Sequence, residues 1–234
     1  MRAPDSMPRR LLTLCRGDSD KMASWLDERD PRWPLACAMT IVCGCALYGV
    51  AVGLWRGPLQ AVYTGVKMPL LIFLTCGGNA FLNGLLAQVF GSGLNFRQTW
   101  LAILMSYTIA SLILAALSPV VLFICLNAPP LTSSASGFGH SVTLLCDVVF
   151  IAYAGFAANR RLLRLLERSC ASVAAARRVF WSWLCGNLFL GAQLAWVLRP
   201  FIGSPRLAVQ FLRDDPLRGN FYESVFRAVL HLFS

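Results

Sequence analysis

The chain has 234 residues, 57% of them hydrophobic and only 14% charged, with a formal net charge of +10. A soluble domain carries roughly 25% charged residues, so this composition excludes a water-covered globule and makes a bilayer the natural solvent. The Lys and Arg residues flank apolar runs rather than forming one face, which excludes nucleic acid as a partner and favours anionic lipid headgroups.

In chain order, residues 1–32 read as a basic N-terminal tail with one short surface helix over Met22–Leu26. Leu11–Leu14 is too short for a signal-peptide core, so the first span is expected to act as its own insertion signal. Apolar runs at about 33–55, 68–90, 99–127, 141–159 and 179–202 predict five spans, each near the roughly 20 residues that cross hydrocarbon. Trp33 and Trp55 bracket the first run as an interfacial belt. Gly44, Gly49 and Gly53 give it a small-residue face, the last two at GxxxG spacing. Between the first two runs, Arg56-Gly57-Pro58 opens an interfacial collar. Lys67 is expected at the lipid surface and Pro69 in the first turn of the second span.

The second span carries Asn79 and Asn83, four residues apart and so on one helix face. Amides in hydrocarbon need partners, so this face is expected to point into the bundle, as interhelical glue or as a substrate pathway. A polar turn over 91–98 leads to the third span, where Pro119 predicts a kink. Residues 128–140 form an uncharged, turn-rich loop. The fourth span contains Asp147, the one acid inside any span, with His140 on the same face. Its candidate partners are Asn79, Asn83, Asn187, Gln193 and Arg199. Both a structural, hydrogen-bonded Asp147 and a proton- or ion-handling one stay open.

Arg160, Arg164 and Arg168 recur every four residues among leucines, with Arg161 beside them. Residues 159–178 therefore predict an interfacial amphipathic helix on anionic headgroups. The fifth span adds Gly186 and Gly191 as packing positions, Asn187 and Gln193 as polar ones, and ends at Arg199, which can snorkel. In the C-terminal tail, 203–234, a second amphipathic helix is expected over 220–233, capped by Asn220 with Glu223 three residues on. With five spans, the segments on the N-terminal side hold 14 basic residues and the opposite side 7. The positive-inside rule then favours a cytoplasmic N-terminus.

The sequence therefore reads as an all-α polytopic transmembrane helical bundle of about five spans with interfacial helices. No nucleophile elbow, phosphate loop, HExxH or carboxylate pair occurs, so no catalytic residues are assigned and an enzyme is not expected. The nine cysteines form no CxxC pair and the two histidines lie far apart, so neither a metal site nor a cofactor is expected.

Arg56-Gly57-Pro58, Tyr63, Lys67 and Pro69-Leu70-Leu71 resemble a pattern in uncharacterised bacterial inner-membrane proteins. So does the run Gly191 to Pro205, followed by Gly219-Asn220-Phe221-Tyr222-Glu223. These proteins are distantly similar to the Yip superfamily. The resemblance covers roughly residues 55–234 and implies about five spans, a cytoplasmic N-terminus and a place in the bacterial inner membrane. The expected function is a non-enzymatic scaffold, assembly or membrane-organising factor with other membrane subunits or a second copy as partner. The alternative is a small oligomeric transporter or channel built on a polar cluster around Asp147.

Overall fold

Residues 6–134, 136–203, 207–220 and 222–223 are described in a computed structural model of the chain. Among them every regular element is a helix: α1 (Met7–Arg16), α2 (Ser19–Asp27), α3 (Arg32–Gly53), α4 (Pro58–Val89), α5 (Phe96–Asn127), α6 (Ser136–Ser169) and α7 (Val173–Val197). Helices α3, α4, α5 and α6 are long and apolar enough to cross a membrane. Three tryptophans, Asn187 and Gln193 dilute the apolar character of α7, but at 25 residues it is as long as a span. The chain is thus a multi-pass helical bundle.

Small residues decide how the bundle closes. Helix α3 packs against both α4 and α5, with glycines at the crossings. A Cβ built on Gly44 would lie 2.7 Å from the Ser111 carbonyl oxygen, and one on Gly49 would lie 2.5 Å from that of Thr64. Gly53 would meet the Ala61 Cα at 2.6 Å. Backbone approaches this close admit no side chain, which is the physical content of the GxxxG spacing. Helix α7 closes the bundle between α4 and α6.

Two ends result. At one, α1, α2, the 91–95 turn and the α6–α7 turn gather. The Ala171 amide donates to Ser92 O at 3.0 Å, and Arg97 donates to Leu26 O and Glu28 O. At the other end the α3–α4 turn meets the segment after α7 through Gln60 and Pro200, and Trp55 meets His140 with ring centroids 5.7 Å apart. The described N-terminal and C-terminal segments lie at opposite ends of the bundle.

Residues 7–27 form two helices packed on the bundle rather than a tail with one short surface helix. Leu14, Met22, Trp25 and Leu26 are buried in the main core. Arg10 is buried with its guanidinium 5.6 Å from the Trp25 ring centroid and 5.7 Å from that of Trp33, and it pairs with Glu28 at 2.7 Å. Arg161, expected on lipid headgroups, instead donates to Cys15 O at 2.7 Å. A cation there meets the free carbonyls at the C-terminal end of α1. High charge density misled the tail reading: the apolar face of α1–α2 is short and set among many charges, but it is completed by α5 and α6. Arg10→Ala is expected to cost about 2 kcal/mol, from two cation–π contacts and one ion pair. Glu28, whose side chain is 39% exposed, stays solvated, so the full cost of orphaning a buried charge does not apply. Hydrogen exchange over 7–27 and the fluorescence of Trp25 and Trp33 measure the loss.

Two boundaries are corrected. The second span does not begin at 68 with Pro69 in its first turn. Helix α4 starts at Pro58, after Gly57 at φ +140°, and Pro69 lies inside it. Gly57-Pro58 is the true start signal: glycine supplies the left-handed turn and proline fills the first helical position. Residues 159–178 are not a separate interfacial helix. Arg160, Arg161, Arg164 and Arg168 continue α6, whose 34 residues reach about 50 Å at 1.5 Å per residue, beyond the roughly 30 Å hydrocarbon core. Arg160, Arg164 and Arg168 are exposed, while Leu162, Leu165 and Leu166 pack in the core that also holds Met22 and Trp25, not into lipid. Arg168 pairs with Asp20 at 2.7 Å, with both side chains well exposed, so the pair adds little stability. Of the helix expected over 220–233, Asn220 Oδ1 accepts the Glu223 N–H at 2.8 Å. The remainder lies outside the described residues.

Candidate functional site

The polar residues inside the bundle form separate sets. The first joins α4 to α7. Asn79 Nδ2 donates to Asn187 Oδ1 at 3.1 Å, and Asn83 Nδ2 reaches the same oxygen at 3.5 Å. The Trp183 indole donates to the Asn83 backbone oxygen at 2.9 Å. Asn79 and Asn83 are buried, so the shared face points inward. Gly186 leaves room beside the Asn79 amide, at 3.9 Å, and Gly191 faces Thr75 at 3.6 Å. Asn83 Oδ1 has no partner among the described residues, which offsets about 1–3 kcal/mol of what the set contributes.

The second set joins α3 to α6. Tyr48 is fully buried and its hydroxyl donates to Asp147 Oδ1 at 2.5 Å. This bond gives the Asp147 carboxyl a donor inside the bundle. This corrects the expected cluster: Asp147 bonds to none of Asn79, Asn83, Asn187, Gln193 or Arg199. The reason is geometric, because α6 carries Asp147 toward α3 while the amides occupy the α4–α7 seam. Gln193 is half-buried outside the hydrogen-bonded set. Arg199 lies just past α7, its guanidinium 3.6 Å from the Trp196 ring centroid and Nη1 donating to Trp196 O at 2.8 Å. Burial, and then the charge of Arg213, lower its pKa.

The third set clasps the segment after α7 to the first turns of α4. Gln60 Nε2 donates to Phe201 O at 2.7 Å and to Pro200 O at 3.0 Å. Thr64 Oγ1 donates to Phe201 O at 2.5 Å, and Lys67 Nζ to Pro200 O at 2.8 Å. Lys67 is fully buried, not at the lipid surface, and its ammonium lies 4.9 Å from the Phe211 ring centroid and 5.9 Å from that of Phe201. Two ring faces and a carbonyl replace its water. Tyr63 meets Phe211 edge-on at 5.3 Å, and Arg56 donates to Leu207 O at 3.0 Å. The collar and the bend after Arg199 are therefore in contact.

Sequence reasoning overlooked Tyr48, Gln60 and Thr64. Gln60, Thr64 and Lys67 fall at i, i+4 and i+7, a polar line on an otherwise apolar helix, and that spacing was the available signal. Tyr48 carried none, being one aromatic among many. The nine cysteines are free thiols. Burial pushes the thiol of Cys170, in the α6–α7 turn, up to about 11, which suits a packing residue rather than a nucleophile. A comparison with family models, curated proteins and solved structures finds no match.

Proposed function

We propose that the chain is a non-enzymatic integral membrane scaffold, an assembly or membrane-organising factor whose partners are other membrane subunits or a second copy. One observation carries this reading: two sets of polar side chains within the spans bond across helix seams, each set joining one pair of helices. Asn79, Asn83 and Asn187 hold α4 to α7, and Tyr48 with Asp147 holds α3 to α6. Groups spent in this way fix helix positions instead of lining a continuous polar path. The exposed line of Arg160, Arg164 and Arg168 at the end of α6 suits an anionic leaflet surface. The 14 basic residues on the N-terminal side against 7 opposite favour a cytoplasmic N-terminus. A bacterial inner membrane and a distant kinship with the Yip superfamily belong to the same proposal, on the resemblance of residues 55–234.

Gentle solubilisation from native membranes is expected to yield a stable complex or homo-oligomer; a lone monomer under every condition would overturn the reading. Asp147→Asn keeps an oxygen that accepts from Tyr48. It is therefore expected to leave the complex, and any proteoliposome ion flux, unchanged from wild type. Loss of a measurable proton or ion flux in that variant would instead favour the oligomeric conduit.

A further inference from the structure

At the basic end of the bundle, a cleft of about 490 Å³ opens between the starts of α3 and α5. Its volume falls within the range of small-molecule sites, roughly 300–1,000 Å³. Pro31, Pro34 and Trp100 form its apolar wall, and Arg29 and Arg97 bring two guanidinium groups to it. Arg97 is held in place by Glu28 O at 2.7 Å and Leu26 O at 2.5 Å. Both acceptors are carbonyls at the C-terminal end of α2, which offset the charge only in part, and other N–H donors remain. The neighbouring acids are engaged elsewhere: Glu28 pairs with Arg10 at 2.7 Å, and Asp27 accepts from Gln98 at 2.8 Å. Arg29 has no carboxylate partner among the described residues. Asp30 is the one acid of the cleft, and its Oδ1 accepts the Arg32 N–H at 2.9 Å, in the first turn of α3.

The depth of the cleft identifies its occupant. It lies where the apolar helices α3 and α5 begin, beside Trp100, a residue type enriched where a helix enters the membrane. From Pro31 downward, α3 exposes Leu35 (62%), Met39 (54%) and Val42 (38%). These recur at three- and four-residue spacing, so they form one apolar track along the helix. A soluble phosphate would leave that track unused. We propose that the cleft holds the phosphate of one anionic phospholipid between Arg29 and Arg97, with an acyl chain along Leu35, Met39 and Val42. The site is distinct from the exposed Arg160–Arg168 line, which has no wall to hold a single lipid, and it does not depend on the scaffold reading.

The test uses the full chain in mild detergent, titrated with phosphatidylglycerol or phosphatidylcholine and read by native mass spectrometry. The expected result is one tightly held phosphatidylglycerol, with phosphatidylcholine weaker. Arg29 is exposed, so Arg29→Gln is expected to fold normally and to weaken the first binding event about fivefold, the worth of one interfacial arginine. Arg164→Gln, on the exposed line, is expected to leave it unchanged. A phosphatidylglycerol with a photoreactive acyl chain is expected to label α3 between Leu35 and Val42. Equal binding of the two lipids, indifference to Arg29→Gln, displacement by millimolar glycerophosphate, or label confined to α6 would each overturn the proposal.

Discussion

Gly49→Ile is expected to lower the stability of the folded bundle by about 3 kcal/mol or more, the upper end for overpacking a closed interface. The added Cβ would stand 2.5 Å from the Thr64 carbonyl oxygen and 2.8 Å from its carbon. Those atoms belong to the α4 backbone and cannot rotate aside, so α3 and α4 must separate. The damage spreads, because Gly65 faces back across the same seam, its Cβ position 2.8 Å from Val50 Cγ2. Separation at Gly49 also draws Gly53 from Ala61 and loosens the clasp that starts at Gln60. Gly77→Ala is the matched control. Nothing lies within 4 Å of its Cβ position, so the change is expected to be neutral, or stabilising by up to about 1 kcal/mol through helix propensity. Denaturant unfolding of the purified protein compares the two; equal stability of Gly49→Ile and wild type would mean that α3 and α4 do not cross there.

The second large effect is a coupling. Pro200 O accepts from both Gln60 Nε2 and Lys67 Nζ, and Phe201 O from both Gln60 Nε2 and Thr64 Oγ1. Each carbonyl therefore keeps one donor when either Gln60→Leu or Lys67→Met is made alone. Each single variant is expected to cost about 1 kcal/mol, the usual net worth of a hydrogen bond. The double variant leaves Pro200 O with no donor in apolar surroundings, and it is expected to exceed the sum of the singles by about 1–3 kcal/mol. Exchange or proteolysis over residues 198–211 should rise steeply in the double variant only. Simple additivity would remove the shared carbonyl from the account.

The bundle was legible because hydrocarbon imposes long helices, and composition reports the hydrocarbon directly. The inward face of Asn79 and Asn83 was legible for the same reason: an amide in lipid must find a partner. Lys67 was not. A lysine near the end of an apolar run normally marks the surface, and its ring and carbonyl partners lie more than 130 positions away in sequence. Asp147 announced its need for a donor but not the donor's identity, because helix rotation decides which seam it enters. The docking of α1 and α2 was hidden likewise: a short amphipathic segment looks the same whether water or another helix covers it.

The clasp at Lys67 has a consequence for how the protein is made. The chain leaves the ribosome from its N-terminus, at roughly 5–20 residues per second. Gln60, Thr64 and Lys67 therefore enter the membrane about ten seconds before Pro200 and Phe201 exist to receive their hydrogen bonds. Through that interval an amide, a hydroxyl and a cation sit near the start of an inserted helix with their final acceptors still unsynthesised. At the opposite end, the Cys15 carbonyl waits in the same way for Arg161 of α6. Both ends of the bundle are locked by late-arriving sequence, so a nascent chain truncated before residue 200 holds its apolar helices in the bilayer with one lock open.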